Sequence, residues 1–220
     1  LFFFTPKPAS ALLRSLVGAE MCIRDSRHTI TKEGISSIQL MERSATACRD
    51  WIIDKYDDNK RFSLLCGTGN NGGDGLALYR LLIERNYLCT LYEFSLGDNP
   101  SKDYSENKCK IKTGDIKKLT TEALSHIANQ DIIIDALLGT GLNRPVTGQL
   151  KKVIQYLNAL PNTIISIDTP SGLFSEYNSD NKDDEILQRM EHFFEPIKIK
   201  FHFVCSGCDS LKIWMINFIK

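Results

Sequence analysis

The 220-residue chain is 42% hydrophobic and 25% charged, which is enough for one globular core. Its 27 Lys+Arg balance its 27 Asp+Glu, so it offers no general field for nucleic acid or an anionic membrane. No apolar run is long enough to span a bilayer. The seven cysteines (Cys22, Cys48, Cys66, Cys89, Cys109, Cys205, Cys208) are scattered and odd in number, which points to a reducing, cytoplasmic compartment and not to a disulfide scaffold.

Residues 1–26 read as a non-native segment. The chain begins at Leu1, and Leu1 to Phe4 followed by Pro6 and Pro8 gives neither helical nor strand pattern. No basic segment precedes that apolar run, so a secretory leader fits poorly. Val17 to Ser26 resembles a translated sequencing adapter. From Arg27 the pattern is that of a folded domain. Thr31 is placed to cap a first turn, and apolar spacing from Ile35 through Ala45, Cys48, Trp51 and Ile52 predicts a helix ending near Lys55. Phe62–Cys66 fits a short buried strand. A glycine loop follows, Cys66-Gly-Thr-Gly-Asn-Asn-Gly-Gly-Asp-Gly75, and then a helix over Leu76–Arg85. Leu88–Phe94 is a second strand, Ser101–Lys110 a solvated polar helix, and Thr120–Asn129 another short helix. Asp131–Asp135 is an apolar strand ending in an acid. The loop Gly139–Pro145 leads into a helix over Thr147–Asn158. Thr163–Asp168 is a further strand ending in an acid, and Thr169-Pro-Ser-Gly172 turns away from it. The stretch 175–184 is polar and loop-like, and 193–204 has room for one or two late strands. Strands separated by helices imply βαβ units and a mostly parallel sheet.

In an open α/β sheet, ligands bind beyond the carboxyl ends of the strands. Three such ends here carry polar side chains: Asn70, Asn71 and Asp74 after the first, Asp135 and the Gly139–Gly141 turn after the second, Asp168 and Ser171 after the third. A parallel sheet would bring all three to one edge. Carboxylate and amide oxygens together suit a hard cation, or proton transfer where burial shifts a pKa. Singly, each acid reads as the cap of a turn. The window Gly67–Gly75 nevertheless holds five glycines, more than a turn needs.

The same loop admits a rival reading. Gly67-x-Gly69-x-x-Gly72 follows a strand, opens a helix, and matches a dinucleotide fingerprint, with Glu93 about 20 residues on where an acid would bind ribose. That fingerprint does not require Asn70, Asn71 and Asp74, nor the loaded ends of two later strands.

Taken together, the motifs resemble a known family. Gly67-Thr-Gly-Asn-Asn-Gly-Gly-Asp-Gly75 resembles the glycine loop of the YjeF N-terminal domain family, the NAD(P)H-hydrate epimerases. Asp135-Ala-Leu-Leu-Gly-Thr-Gly-Leu-Asn-Arg-Pro145 and Ser166-Ile-Asp-Thr-Pro-Ser-Gly-Leu173 are similar to its second and third motifs, and Leu40-Met41-Glu42 to its N-terminal helix signature. The resemblance runs from about Arg27 to Leu173. It implies an α/β fold, a Rossmann-like three-layer α/β/α sandwich with a mostly parallel central sheet. It also implies a reaction, the interconversion of the R and S epimers of NADH or NADPH hydrated at nicotinamide C6 (NADHX and NADPHX), so that a separate S-specific dehydratase can restore the cofactor.

Carried over by motif, Asn70, Asn71, Gly72, Gly73 and Asp74 would contact the hydrate. Gly139, Thr140, Gly141, Leu142, Asn143, Arg144 and Pro145 would hold the substrate by backbone, and Asp168 would meet its reacting half. Asn71, Asp135 and Ser171 would bind a potassium ion. Inversion at C6 needs a proton donor for the departing hydroxide and a base for its return; Asp135 and Asp168 are the candidates, with Asp168 preferred. The resemblance also allows a homodimer and implies neither nucleic acid nor membrane as a partner. The dehydrogenase suggested by the fingerprint stays as an alternative. So does a non-catalytic interaction module, since relatives occur in an mRNA decapping scaffold with degraded motifs, whereas Asn71, Asp74, Asp135 and Asp168 all stand here.

After the third motif the pattern departs from the family. Met190 to Lys198 keeps a proline and a lysine only, 205–220 reads as a divergent or frame-shifted tail beyond a domain of 27–204, and no dehydratase domain follows. Cys205-x-x-Cys208 lacks a second pair for zinc. His28, His126, His192 and His202 have no metal-like spacing, and Trp51 and Trp214 read as packing residues.

Overall fold

The computed structural model describes residues 30–112, 115–142, 144–168 and 170–172, together with the backbone of 201–204 and 214–216. Seven strands form one sheet: β1 (Arg61–Gly67), β2 (Leu88–Phe94), β3 (Ile116–Lys118), β4 (Ile132–Ala136), β5 (Ile164–Ile167), β6 (Phe201–Val204) and β7 (Trp214–Ile216). Their order is β3-β2-β1-β4-β5-β6-β7. Every neighbouring pair through β6 is parallel, and β7 pairs antiparallel to β6. The helices are α1 (Ser37–Lys55), α2 (Asn70–Ile83), α3 (Lys102–Cys109), α4 (Thr121–Leu124) and α5 (Gly148–Ala159). This is the Rossmann-like α/β/α arrangement that the sequence implies.

Alternation along the strands builds the two cores. Phe62, Leu64 and Cys66 face one side with Ile132, Ile134, Ile165 and Ile167, under α1 and α2. Leu65, Ile133 and Ile164 face the other, under α5. β1 and β4 are buried on both faces, so they read as near-continuous apolar runs. Each such leucine or isoleucine contributes about 1.5–3 kcal/mol by leaving water. The stripe on α1 is Met41, Ser44, Ala45, Cys48, Trp51 and Ile52, and α5 buries Leu150, Val153, Ile154 and Leu157. Both have the i, i+3, i+4, i+7 spacing of a helix packed on a sheet. A capping box starts α1: Gln39 N–H donates to Ser36 Oγ, and Ser36 N–H donates back to Gln39 Oε1 at 2.7 Å. Trp51 packs edge-on against Tyr56, with ring centroids 6.2 Å apart.

Several boundaries differ from the sequence reading. α2 starts at Asn70, not Leu76, so most of the glycine loop is the first turns of a helix. Glycine is a poor helix former, but here packing overrides propensity: a Cβ at Gly72 would overlap the Gly67 carbonyl. The helix at 102–109 is not solvated all round, since Tyr104 and Asn107 are buried and Asn107 Nδ2 reaches Met41 Sδ at 3.1 Å. The predicted helix over 120–129 shrinks to one turn capped by Thr120. β3 has no counterpart in the sequence reading. Ile116-Lys-Lys carries one apolar residue and two charges, as suits a short edge strand that must not recruit another chain. β7 falls within the stretch that the sequence sets apart as a tail. Residues 1–26, the polar stretch 175–184, the altered segment 190–198, Cys205, Cys208, His28 and His192 lie outside the described residues.

Candidate active site

β1, β4 and β5 are adjacent and parallel, so their carboxyl ends open on the same edge. The register puts Leu65, Asp135 and Ser166 side by side across the three strands. Asp135 is therefore held inside the sheet, one residue before the end of β4. Its carboxylate is almost fully buried and receives four hydrogen bonds. Oδ1 accepts from Leu137 N–H at 3.2 Å and Ser171 Oγ at 2.5 Å; Oδ2 accepts from Ser171 N–H at 2.9 Å and Ser166 Oγ at 3.0 Å. Burial raises its pKa, and these donors oppose the rise. All four neighbours donate to the carboxylate, which offsets part of the cost of burying its charge.

Asp168 has a different setting. It follows β5 with φ +66°, in the left-handed region that few non-glycine residues occupy. Its Oδ2 accepts from Thr140 N–H at 2.6 Å, and the Thr140 hydroxyl adds a second contact. Burial again raises the pKa, here opposed, among the described residues, by Thr140. Backbone strain of about 1–3 kcal/mol at such a position persists only where the surroundings impose it, which is common at functional sites.

Both acids and Asn71 are hydrogen-bonded to the segment 137–140. Asn71 is on the first turn of α2, buried, and its Nδ2 donates to the Leu138 carbonyl at 2.7 Å. Its Oδ1 is buried without a hydrogen-bond partner. The Leu138 N–H donates to Ser171 Oγ at 2.8 Å, which ties the same turn to Asp135. Gly139 fills the space between: a Cβ there would overlap Asp168 Oδ2 and come within 3.2 Å of Asn71 Cβ. The turn can approach both side chains only because position 139 lacks one.

Asn71, Asp135, Gly139, Thr140, Asp168 and Ser171 thus converge. Other predicted residues stand further out. Asn70 is exposed at the helix start, Gly141, Arg144 and Pro145 are exposed on the outer loop, and Leu142 is half-buried. Asn143 lies outside the described residues. The missing Cβ of Gly73 points at Met41 and the Tyr104 backbone, not at the 138–140 turn. Asp74 is buried on α2, where its charge raises the pKa of the Cys48 thiol behind the effect of burial itself. Ser166 and the Leu138 carbonyl escape the sequence reading. Ser166 had a signal, as the one polar residue in an otherwise isoleucine strand.

The donor set at this turn is an amide oxygen, a carboxylate and a hydroxyl, which are the oxygens a hard cation takes. The buried Asn71 Oδ1 is an acceptor with its capacity unused. These residues fit such an ion. Among the described residues, no group of three or more His, Cys, Asp and Glu side chains is placed to hold a metal. Glu93, where the rival reading needs a free ribose ligand, is engaged: Lys108 Nζ lies 2.5 Å from Oε2, and the Tyr104 hydroxyl donates to the same oxygen. The desolvation that would raise the Glu93 pKa is outweighed by these two contacts, which lower it.

Known proteins resemble this chain in sequence and in fold. The family described as YjeF-related protein N-terminus matches residues 37–190. An NAD(P)H-hydrate epimerase of Limosilactobacillus fermentum is 33% identical over 160 residues, covering 73% of this chain and 76% of that protein. One of Levilactobacillus brevis is 36% identical over 151 residues, covering 68% and 69%. A Bifunctional NAD(P)H-hydrate repair enzyme Nnr of Dictyoglomus turgidum is 33% identical over 169 residues, but the match takes in only 32% of its length. The crystal structure of yeast ynu0, YNL200c, superposes with a TM-score of 0.61 at 16% identity, over 90% of this chain and 98% of that one, and so shares the fold. All three motifs that build the 138–140 turn lie inside the matched span, and on that ground the chain belongs to the YjeF-related protein N-terminus family.

Proposed function

We propose that the chain is an NAD(P)H-hydrate epimerase, an isomerase that interconverts the R and S forms of hydrated NADH and NADPH at nicotinamide C6. The observation that carries this reading is the convergence of Asn71, Asp135, Asp168 and Ser171 on one turn at the open edge of the sheet. Relatives named NAD(P)H-hydrate epimerases at more than 30% identity support it. The dehydrogenase and interaction-module readings are not favoured: Glu93 is paired, and the polar residues that converge are more than a fold needs.

Inversion breaks the C6–O bond and re-forms it on the other face of the ring. The departing hydroxide takes a proton, and the returning water gives one up. Asp168 is assigned that proton. Burial raises its pKa, which favours the protonated form that a departing hydroxide needs, Thr140 fixes one oxygen, and the left-handed backbone sets the group beside the turn. Asp135 is assigned the role of a fixed anion. The glycine-rich turn 139–141 and the residues to Pro145 are assigned backbone contacts with the substrate, with Asn70 to Asp74 on the facing helix.

Asn71 Oδ1, Asp135 and Ser171 are the residues that would hold a potassium ion; when bound, it supplies a fixed positive charge beside the Asp135 carboxylate. A separate S-specific dehydratase is the proposed consumer of the product, a pairing in keeping with the bifunctional name of one relative. Among the described residues, no helix is long and apolar enough to cross a membrane. The free thiols Cys48, Cys66, Cys89 and Cys109 accord with a cytoplasmic setting. A homodimer is carried over from the family alone. The decisive measurement is chromatographic: purified R epimer is incubated with the protein, with and without potassium chloride. Faster R/S equilibration, greater with potassium, is the expected result. Folded protein that leaves the epimers at their spontaneous rate would remove the assignment.

A further inference from the structure

Ser166 is fully buried between Ile165 and Ile167 in β5, and a buried hydroxyl is costly unless it is hydrogen-bonded. Its hydroxyl donates to Asp135 Oδ2 at 3.0 Å, across the register that pairs Ser166 with Asp135. The terminal torsion of an aspartate is broad, so hydrogen bonds must set the plane of its carboxylate. Of the four donors to Asp135, three belong to Leu137 and Ser171, within the loops that build the site. Ser166 alone donates from inside a strand, whose position is fixed by the ladder and by both cores.

We propose that Ser166 is a positioning residue for the cation site: its hydroxyl sets the rotation of the Asp135 carboxylate, so that Oδ1 stays with Ser171 and faces the space beside Asn71. The inference rests on the cation site proposed above. Without the hydroxyl, Oδ2 keeps only the Ser171 N–H, and the three donors that remain to the carboxylate all come from the loops; its rotation then follows the loops and is no longer tied to the sheet. Partners that orient metal ligands in this way typically cost 10–100-fold in ion affinity when removed.

The test uses the full chain as wild type, Ser166→Ala, Ser166→Thr and Ser166→Val. Thr and Val have the same shape and differ in the hydroxyl, so their contrast separates hydrogen bonding from packing. Two readouts are taken: the rise in Tm between choline chloride and potassium chloride, and the potassium concentration giving half-maximal R/S equilibration. Ser166→Ala and Ser166→Val should need about tenfold more potassium and show a smaller potassium-dependent rise in Tm, while Ser166→Thr stays near wild type. Folded Ala and Val variants with a wild-type potassium midpoint would overturn the proposal, and so would Thr and Val variants that shift equally. A rate loss with an unchanged midpoint overturns the positioning role alone. A wild type that shows no potassium effect on either readout removes the cation site, and this inference with it.

Discussion

Two strand ends side by side treat the same residue type in opposite ways. At the end of β4, Asp135 keeps a regular strand conformation and is surrounded by four donors. At the end of β5, Asp168 takes φ +66° and, among the described residues, leans on Thr140. Burial raises the pKa of both. The difference is in what opposes it. A proton on Asp135 would have to displace or reorient one of four donors that occupy both oxygens, whereas Asp168 is held through one residue, Thr140, among the described residues. Two carboxylates within one cluster can therefore serve as fixed anion and proton carrier, separated by environment alone.

The largest expected effect breaks this contrast directly. Asp168→Asn should slow R/S equilibration by about 10²–10⁴-fold, the usual scale of a lost general acid–base group, with no loss of thermal stability. Asn accepts the left-handed region and still offers an oxygen to Thr140 N–H. Asp135→Asn should do the converse on stability: its NH₂ would face N–H and O–H donors, which costs about 1–3 kcal/mol of folding free energy. Urea unfolding of the two variants, set beside their rates, checks the pair. Equal destabilisation would mean that the two acids share one role.

Much of this contrast's setting is legible in the amino-acid sequence alone. The apolar runs at 62–66, 131–134 and 163–167 and their polar successors are enough to place three strand ends on one edge, because a parallel sheet leaves no other choice. Asp135 and Asp168 stand out as acids terminating apolar strands. The start of α2 is not legible, because helix propensity argues against glycine and only the fit of Gly72 over the Gly67 carbonyl reverses it. β3 is hidden by its length and its lysines. Ser166 escapes notice because its value depends on register, and register pairs residues far apart in sequence. The asymmetry between the two acids is equally invisible, since it lies in a backbone angle and in donors arriving from other loops.

A smaller effect sharpens the comparison from the side of the turn. Gly139→Ala should reduce kcat by about 10²-fold, because displacing reacting groups by an ångström or so has that scale. The added Cβ would overlap Asp168 Oδ2 and press on Asn71, and no Asp135 atom is among the three nearest to it. The potassium midpoint should therefore change less than kcat. Steady-state rates at several potassium concentrations measure both. A larger change in midpoint than in kcat would place Gly139 with the cation site and not with Asp168.

The smallest effect is a pH dependence of stability, and its sign follows from burial. The Asp168 pKa is higher in the folded chain than in the unfolded one, where it stays near 3.8. Below that value the group is protonated in both states and contributes no pH-linked difference. As pH rises through the folded pKa, the native state must carry a buried carboxylate, so the contribution to stability falls. Asp168→Asn has no such charge to bury. The stability of Asp168→Asn minus that of wild type should therefore be least below pH 3.8, grow through the acidic range, and level off once the folded carboxyl has ionised. Urea midpoints for both proteins in matched buffers give the difference directly, and comparing the pair cancels what the other acids contribute. A difference that shrinks with rising pH would mean that the folded chain stabilises Asp168 as an anion, and the assignment of proton transfer to Asp168 would then have to be dropped.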